Sequence, residues 1–202
     1  ILSGLVGSEM CIRDRCKMAR PIFFLLDRSG SMDSIRDDTI GGFNSFVNDQ
    51  RSQNPDTLMT LWQFDHEVLV SYENKPLREV LPLDYATFQP RGSTHLLDTM
   101  GDALQVNPIA DPPIFVIFTD GEENGSTKYT KSAVKELVEK RTGEGWTFLY
   151  LGANQDSFAE AGSMGIGPTQ TLNYDTARTP DVFRALSATV SAPSGTVNFS
   201  TL

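Results

Sequence analysis

Cysteine and histidine are scarce, with two of each in 202 residues. Both cysteines, Cys11 and Cys16, fall within the first sixteen positions, so the chain from Pro21 onward has no thiol. A disulfide framework needs more than this, and a lone C-x4-C without a neighbouring histidine is a poor zinc site. A reducing, cytoplasmic compartment is the expectation. Long apolar runs are also missing. None approaches the ~18 residues that would cross a bilayer, and no membrane contact is expected. Positive charge is in deficit, with 17 basic against 26 acidic residues and a formal net charge of −9. That balance repels phosphate backbones. The densest basic stretch, Lys128 to Arg141, has Glu136 and Glu139 interleaved and reads as a solvated helix face. Nucleic acid is not an expected partner.

What is present describes an ordinary folded domain. Hydrophobic residues make up 39% and charged residues 21%, and a chain of this length buries ~70% of its unfolded surface. The opening stretch, ILSGLVGSEMCIRDRCKMAR, is too polar for the apolar centre of a signal peptide. It resembles leaders that recur, unrelated to fold, on conceptually translated fragments. Residues 1–17 are therefore expected to be a non-native or disordered leader, 18–190 a single domain and 191–202 a tail.

Ile22 to Leu26 is an uninterrupted apolar run ending in Asp27, and Ile114 to Phe118 is a second run closed by Asp120. Such runs read as strands buried on both faces. A helix is expected over Ser34 to Arg51, with Gly41 and Gly42 explained by close packing against the sheet. Leu58 to Phe64 and Glu67 to Tyr72 are separated by Asp65 and His66 alone, which forces a hairpin and an antiparallel third strand. Helices are expected over 95–105, 130–141, 157–161 and 180–190, and strands over 146–151 and 170–174. Helix and strand alternate after residue 72, the pattern of a mostly parallel α/β sheet covered on both faces. Trp62 and Trp146 lie in strand runs and are expected in the core.

Ligands of open α/β sheets bind outside the carboxyl ends of strands, where strand order reverses. If the two Asp-terminated strands flank that point, Asp27 and Asp120 face one crevice, with Ser29, Ser31 and Thr94 on nearby loops. Two close carboxylates repel unless one is protonated or a cation lies between them. Five hard oxygen donors favour Mg²⁺, with Mn²⁺ or Ca²⁺ as alternates and zinc disfavoured. Singly, each residue has a plainer role. Asp27, Ser31 or Asp33 fits a helix cap, Thr94 an N-cap, and Asp120-Gly121 a turn. Taken together, with both acids closing apolar strands, they favour the metal.

Asp27-x-Ser29-x-Ser31 resembles the DxSxS signature of the metal-ion-dependent adhesion site in von Willebrand factor A domains. Gly92-Ser93-Thr94-His95-Leu96 is similar to the family's second segment, whose threonine is a ligand. Phe118-Thr119-Asp120-Gly121 is similar to the third, which supplies an acid. The resemblance spans about residues 20 to 190. It implies a Rossmann-like three-layer αβα fold with six strands in the order 3-2-1-4-5-6, strand 3 antiparallel. It also implies a metal site of Asp27, Ser29, Ser31, Thr94 and Asp120, and a protein partner that presents an Asp or Glu carboxylate to the ion. Arg28, Tyr85 to Thr94 and Leu149 to Asp156 look most like small stand-alone bacterial and phage members. That subgroup transfers no pathway and no oligomeric state.

Two enzymatic alternatives stand beside the binding module. A Mg²⁺-dependent phosphohydrolase or phosphotransferase using Asp27 suits an Asp-terminated strand. However, phosphatases of the haloacid dehalogenase type place a second Asp where this chain has Ser29. A serine nucleophile at Ser29 or Ser31, served by His66 or His95, lacks the G-x-S-x-G elbow, and both histidines are expected to face solvent. With no complete catalytic constellation, an enzyme is not the expectation. The loop Gly121-Glu122-Glu123-Asn124 reads as a solvated acidic rim.

Overall fold

A computed structural model describes residues 20–108, 111–153 and 156–192. The proposed leader with Cys11 and Cys16, the pair Asn154-Gln155 and most of the tail lie outside the described residues. Six strands form one sheet in the order β3-β2-β1-β4-β5-β6. They are β1 (Ile22–Asp27), β2 (Leu58–Phe64), β3 (Val68–Pro76), β4 (Ile114–Thr119), β5 (Thr147–Ala153) and β6 (Thr171–Tyr174). All neighbours run parallel except β2 and β3, which pair antiparallel across the short Asp65–Glu67 turn. The expected α/β class, order and antiparallel third strand are all present.

The central position of β1 and β4 follows from their composition. Every residue of both strands is buried, because each face of the sheet carries helices. Alternation divides their side chains. Phe24, Leu26, Val116 and Phe118 enter a core with Phe43 and Phe46 of α1 (Arg36–Gln53) and Phe183 and Leu186 of α5 (Thr179–Val190). Phe23, Leu25, Phe115 and Ile117 enter the opposite core. There they meet Met100 of α2 (Leu96–Ala103), Val134 and Val138 of α3 (Lys131–Gly143), and Ala161 of α4 (Ser157–Ser163). Full burial of each large apolar side chain contributes roughly 1.5–3 kcal/mol. Trp146 is core, whereas Trp62 is half-buried against Phe23. Among the described residues, no helix is long and apolar enough to cross a membrane.

Three local expectations need correction. The first helix begins at Arg36, after a 3-10 turn over Gly30–Ile35 that swings the Ser29–Ser31 segment across the sheet edge. Gly42 does not pack on the sheet. A Cβ there would drive into the Phe183 ring of α5, while Gly41 faces open space. The basic helix α3 is not wholly a solvated face either, because Arg141 is buried and donates to the Leu104 and Val106 carbonyls.

Candidate metal centre

The chain leaves β1 toward β2 and β3 on one side, then returns to β4 on the other, so strand order reverses between β1 and β4. Their carboxyl ends open the crevice there, and Asp27 and Asp120 sit at those ends. Ser31 Oγ donates to Asp120 Oδ1 at 2.7 Å and lies 3.1 Å from Ser29 Oγ. Thr94 comes from the loop before α2. An ideal Cβ built on Gly121 would lie 3.0 Å from Thr94 Oγ1, 3.3 Å from Ser31 Oγ and 3.6 Å from Ser29 Oγ. Three hydroxyls from two distant loops therefore surround one small volume, left open because residue 121 has no side chain.

The helix-cap roles open to Ser31, Asp33 and Thr94 are not taken up. Ser29 occupies the N-cap position of the 3-10 turn and Ile35 that of α1, yet neither side chain caps a backbone amide. His95, not Thr94, occupies the N-cap position of α2, again without a side-chain cap. Asp27 is fully buried. It accepts from the Ser29 amide at 2.7 Å and from Thr119 Oγ1 at 2.6 Å. Burial pushes its pKa up to about 7, opposed by those hydrogen bonds and reinforced by the charge of Asp120. Burial also raises the Asp120 carboxyl, against the Ser31 hydroxyl, which lowers it. Two acids held this way lack a counter-charge, the situation that a cation relieves.

The donor set suits a hard divalent ion. It contains three neutral hydroxyls around one open volume and two carboxylates bonded to the Ser31 hydroxyl and the Ser29 amide, with no sulfur or imidazole among them. The loops that carry these donors are held by bonds not evident in the sequence. Gly30 N donates to Gly92 O, Arg91 N to Arg28 O, and His95 N to Asp65 O. Gly92 has φ +67°, in the region that favours glycine, and a Cβ there would meet the His66 ring. Arg28, inside the signature, turns away from the crevice. Its Nε lies 3.0 Å from the buried Asp65 Oδ2, which Arg91 Nε also contacts at 2.9 Å. Asp65, His66 and Glu67 bring three ligand atoms within 4.8 Å of one another. Arg28 and Arg91 already neutralise that group, with Arg91 reaching Glu67 at 2.7 Å.

The loop after β4 keeps Glu122 and Asn124 exposed, as a solvated rim would, but Glu123 straps it to α2. The Glu123 carboxylate accepts from the amides of Leu97, Gly125 and Ser126. Asn124 Oδ1 accepts from Thr94 N at 3.0 Å, and Asn124 N donates to Thr94 O at 3.2 Å. Thr94 is thereby fixed on both sides. His95 is packed, with its ring against Gly125 and its Nε2 3.0 Å from Ser93 Oγ, while His66 Nδ1 faces Asp65. Neither histidine is hydrogen-bonded to Ser29 or Ser31, which leaves the nucleophilic serine unsupported. Sequence reasoning missed Asp65, Thr119, Glu123 and Asn124. The one available signal was a polar residue beside each motif.

No sequence-family model matches the chain, and neither does any curated protein. Solved structures do match. Proximal thread matrix protein 1 from the mussel byssus, with a zinc-occupied MIDAS motif, aligns at TM-score 0.62 and 14% identity, over 87% of this chain and 48% of its own. A von Willebrand factor type A protein from Catenulispora acidiphila aligns at 0.59 and 17%, over 85% and 43%. The von Willebrand factor domain of the pilus tip protein Mfa5 from Porphyromonas gingivalis aligns at 0.63 and 12%, over 85% and 95%. The chain thus spans about half the length of the mussel protein and nearly all of the Mfa5 domain. At such identities the likeness concerns fold, and the fold of this chain is that of the von Willebrand factor type A domain.

Proposed function

We propose that this chain is a metal-dependent protein-binding module, in which Asp27, Ser29, Ser31, Thr94 and Asp120 hold Mg²⁺. The observation that carries this is the convergence of three hydroxyls on the space beside Gly121, with Asp120 bonded to one of them and Asp27 bonded to the Ser29 amide behind them. When bound, the ion supplies a Lewis-acidic position that takes a carboxylate oxygen of an Asp or Glu on the partner. The protein residues do the rest. The three hydroxyls would add no charge to the ion, which would stay partly electrophilic and open to an anionic partner group. Thr119 and the Ser29 amide orient Asp27, and Asn124 holds the Thr94 backbone. The mussel protein's motif holds zinc, so Zn²⁺ joins Mg²⁺, Mn²⁺ and Ca²⁺ among the ions to test. Nothing about the crevice favours phosphoryl transfer, which needs cations to neutralise developing charge; Arg28 and Arg91 are committed to Asp65.

Calorimetric titration of the full chain with each metal, against a Thr94→Ala variant, tests this directly. Binding by the wild type and much weaker binding by the variant is the expected result. The proposal fails if millimolar Mg²⁺, Mn²⁺, Ca²⁺ and Zn²⁺ all give neither heat nor a shift in melting temperature. Pull-downs in Mg²⁺ and in chelator then identify partners whose capture needs the ion.

A further inference from the structure

Tyr174 ends β6 and is 7% exposed, yet among the described residues its Oη has no hydrogen-bond partner. Buried tyrosine hydroxyls ordinarily find one. The ring cannot easily swing to seek a partner, because it stacks on Phe118 at 5.5 Å between centroids and Phe118 packs on Phe183 at 4.7 Å. Phenylalanine would fill the same space without an orphaned hydroxyl, so packing alone does not account for the tyrosine.

The sheet register shows what the hydroxyl is near. Thr119 pairs with Gly152 and Ala153 pairs with Tyr174, which brings the next residue after β4, Asp120, into the row of Ala153 and Tyr174. Gly152 and Ala153 carry almost no side chain, so the phenol can lean across β5 toward the crevice. The charges of Asp120 and Asp27 are felt at the phenol and, after burial itself, raise its pKa well above 10. Both Asp27 oxygens already accept hydrogen bonds, from Ser29 N and Thr119 Oγ1. Asp120 accepts from Ser31 Oγ on Oδ1 and from its own backbone amide, and Ser31 is the one side chain among the described residues that donates to it.

We propose that Tyr174 is a positioning residue of the metal centre, its hydroxyl donating to the Asp120 carboxylate, directly or through one water, when a cation is bound there. This rests on the metal reading above. In the metal-free fold the orphaned hydroxyl is a cost. In the loaded fold it orients a ligand, as hydrogen bonds behind metal ligands do. Removing it should therefore act in opposite directions on the two states, which a purely structural group would not do.

Tyr174→Phe and, as a control, Tyr72→Phe separate the possibilities. The Tyr72 hydroxyl donates to Leu81 O at 2.8 Å in the β3 region, remote from the crevice. Melting is measured in chelator, and Mn²⁺ affinity by calorimetry, on the full chain. Tyr174→Phe should melt at or above the wild type in chelator and bind Mn²⁺ about tenfold more weakly. Tyr72→Phe should melt lower and keep wild-type Mn²⁺ affinity. Tyr174→Phe binding Mn²⁺ within about twofold of the wild type overturns the inference while leaving the metal site intact, as does a lower melting temperature with unchanged affinity. Absence of Mn²⁺ binding by the wild type would remove the metal reading and this inference together.

Discussion

Asp27→Asn probes the electrostatics of the crevice most sharply. The folded Asp27 carboxyl has a pKa pushed up to about 7, chiefly by burial, against 3.8 for the ordinary group. Between those values the folded, metal-free protein keeps a proton that the unfolded chain has lost. Stability therefore falls as pH rises through that window. At ~1.4 kcal/mol per pKa unit, the interval amounts to about 4 kcal/mol by pH 8. Asparagine has nothing to ionise and can keep the local bonds. Its Oδ1 can accept from Ser29 N, and its Nδ2 can donate to Thr119 Oγ1, whose proton then turns to Gly121 O at 3.1 Å. In chelator at pH 8 the variant should melt higher than the wild type, by up to roughly 8–16 °C for a domain of this size. The two should converge near pH 4. Added Mg²⁺ or Mn²⁺ should raise the wild type alone. Scanning calorimetry from pH 4 to 8, with and without metal, measures all of this. If Asp27→Asn melts below the wild type in chelator at pH 8, the ionised carboxylate supports the fold instead of straining it, and the reasoning is refuted.

Three further outcomes are expected. Wild-type metal affinity should fall about tenfold from pH 8 to pH 6 as Asp27 takes up its proton, with proton release on binding at the lower pH; a flat affinity across that range contradicts it. Gly121→Ala places a methyl among the three hydroxyls, and because Gly121 is not a positive-φ position, the fold should survive within ~1 kcal/mol while metal binding is lost. Equal metal affinity in that variant would show that the hydroxyls do not share one ion. Asp65→Ala leaves the buried Arg28 guanidinium without its partner and should cost about 3–5 kcal/mol in urea unfolding, a loss below ~1 kcal/mol being incompatible with the network described.

The local pattern of the chain is legible from residue order alone. Ile22–Leu26 and Ile114–Phe118 are apolar at every position, a composition that only a strand covered on both faces can bury. The Asp65-His66 gap left room for a hairpin alone. The five oxygen-bearing residues were legible for a related reason, since Asp27 and Asp120 interrupt apolar runs where a charge must be justified. Tertiary structure decided what those residues share. The position of Gly121 among three hydroxyls, the clamp of Asn124 on Thr94, the turn of Arg28 toward Asp65 and the contact of Gly42 with Phe183 all join residues far apart in the chain. Periodicity reports which face of an element is buried, but not which distant side chain arrives there. Tyr174 shows this most plainly: from its strand it reads as one more core aromatic, and only the packing on Phe118 and the register with Ala153 show a buried hydroxyl left without a partner among the described residues, in the row of Asp120.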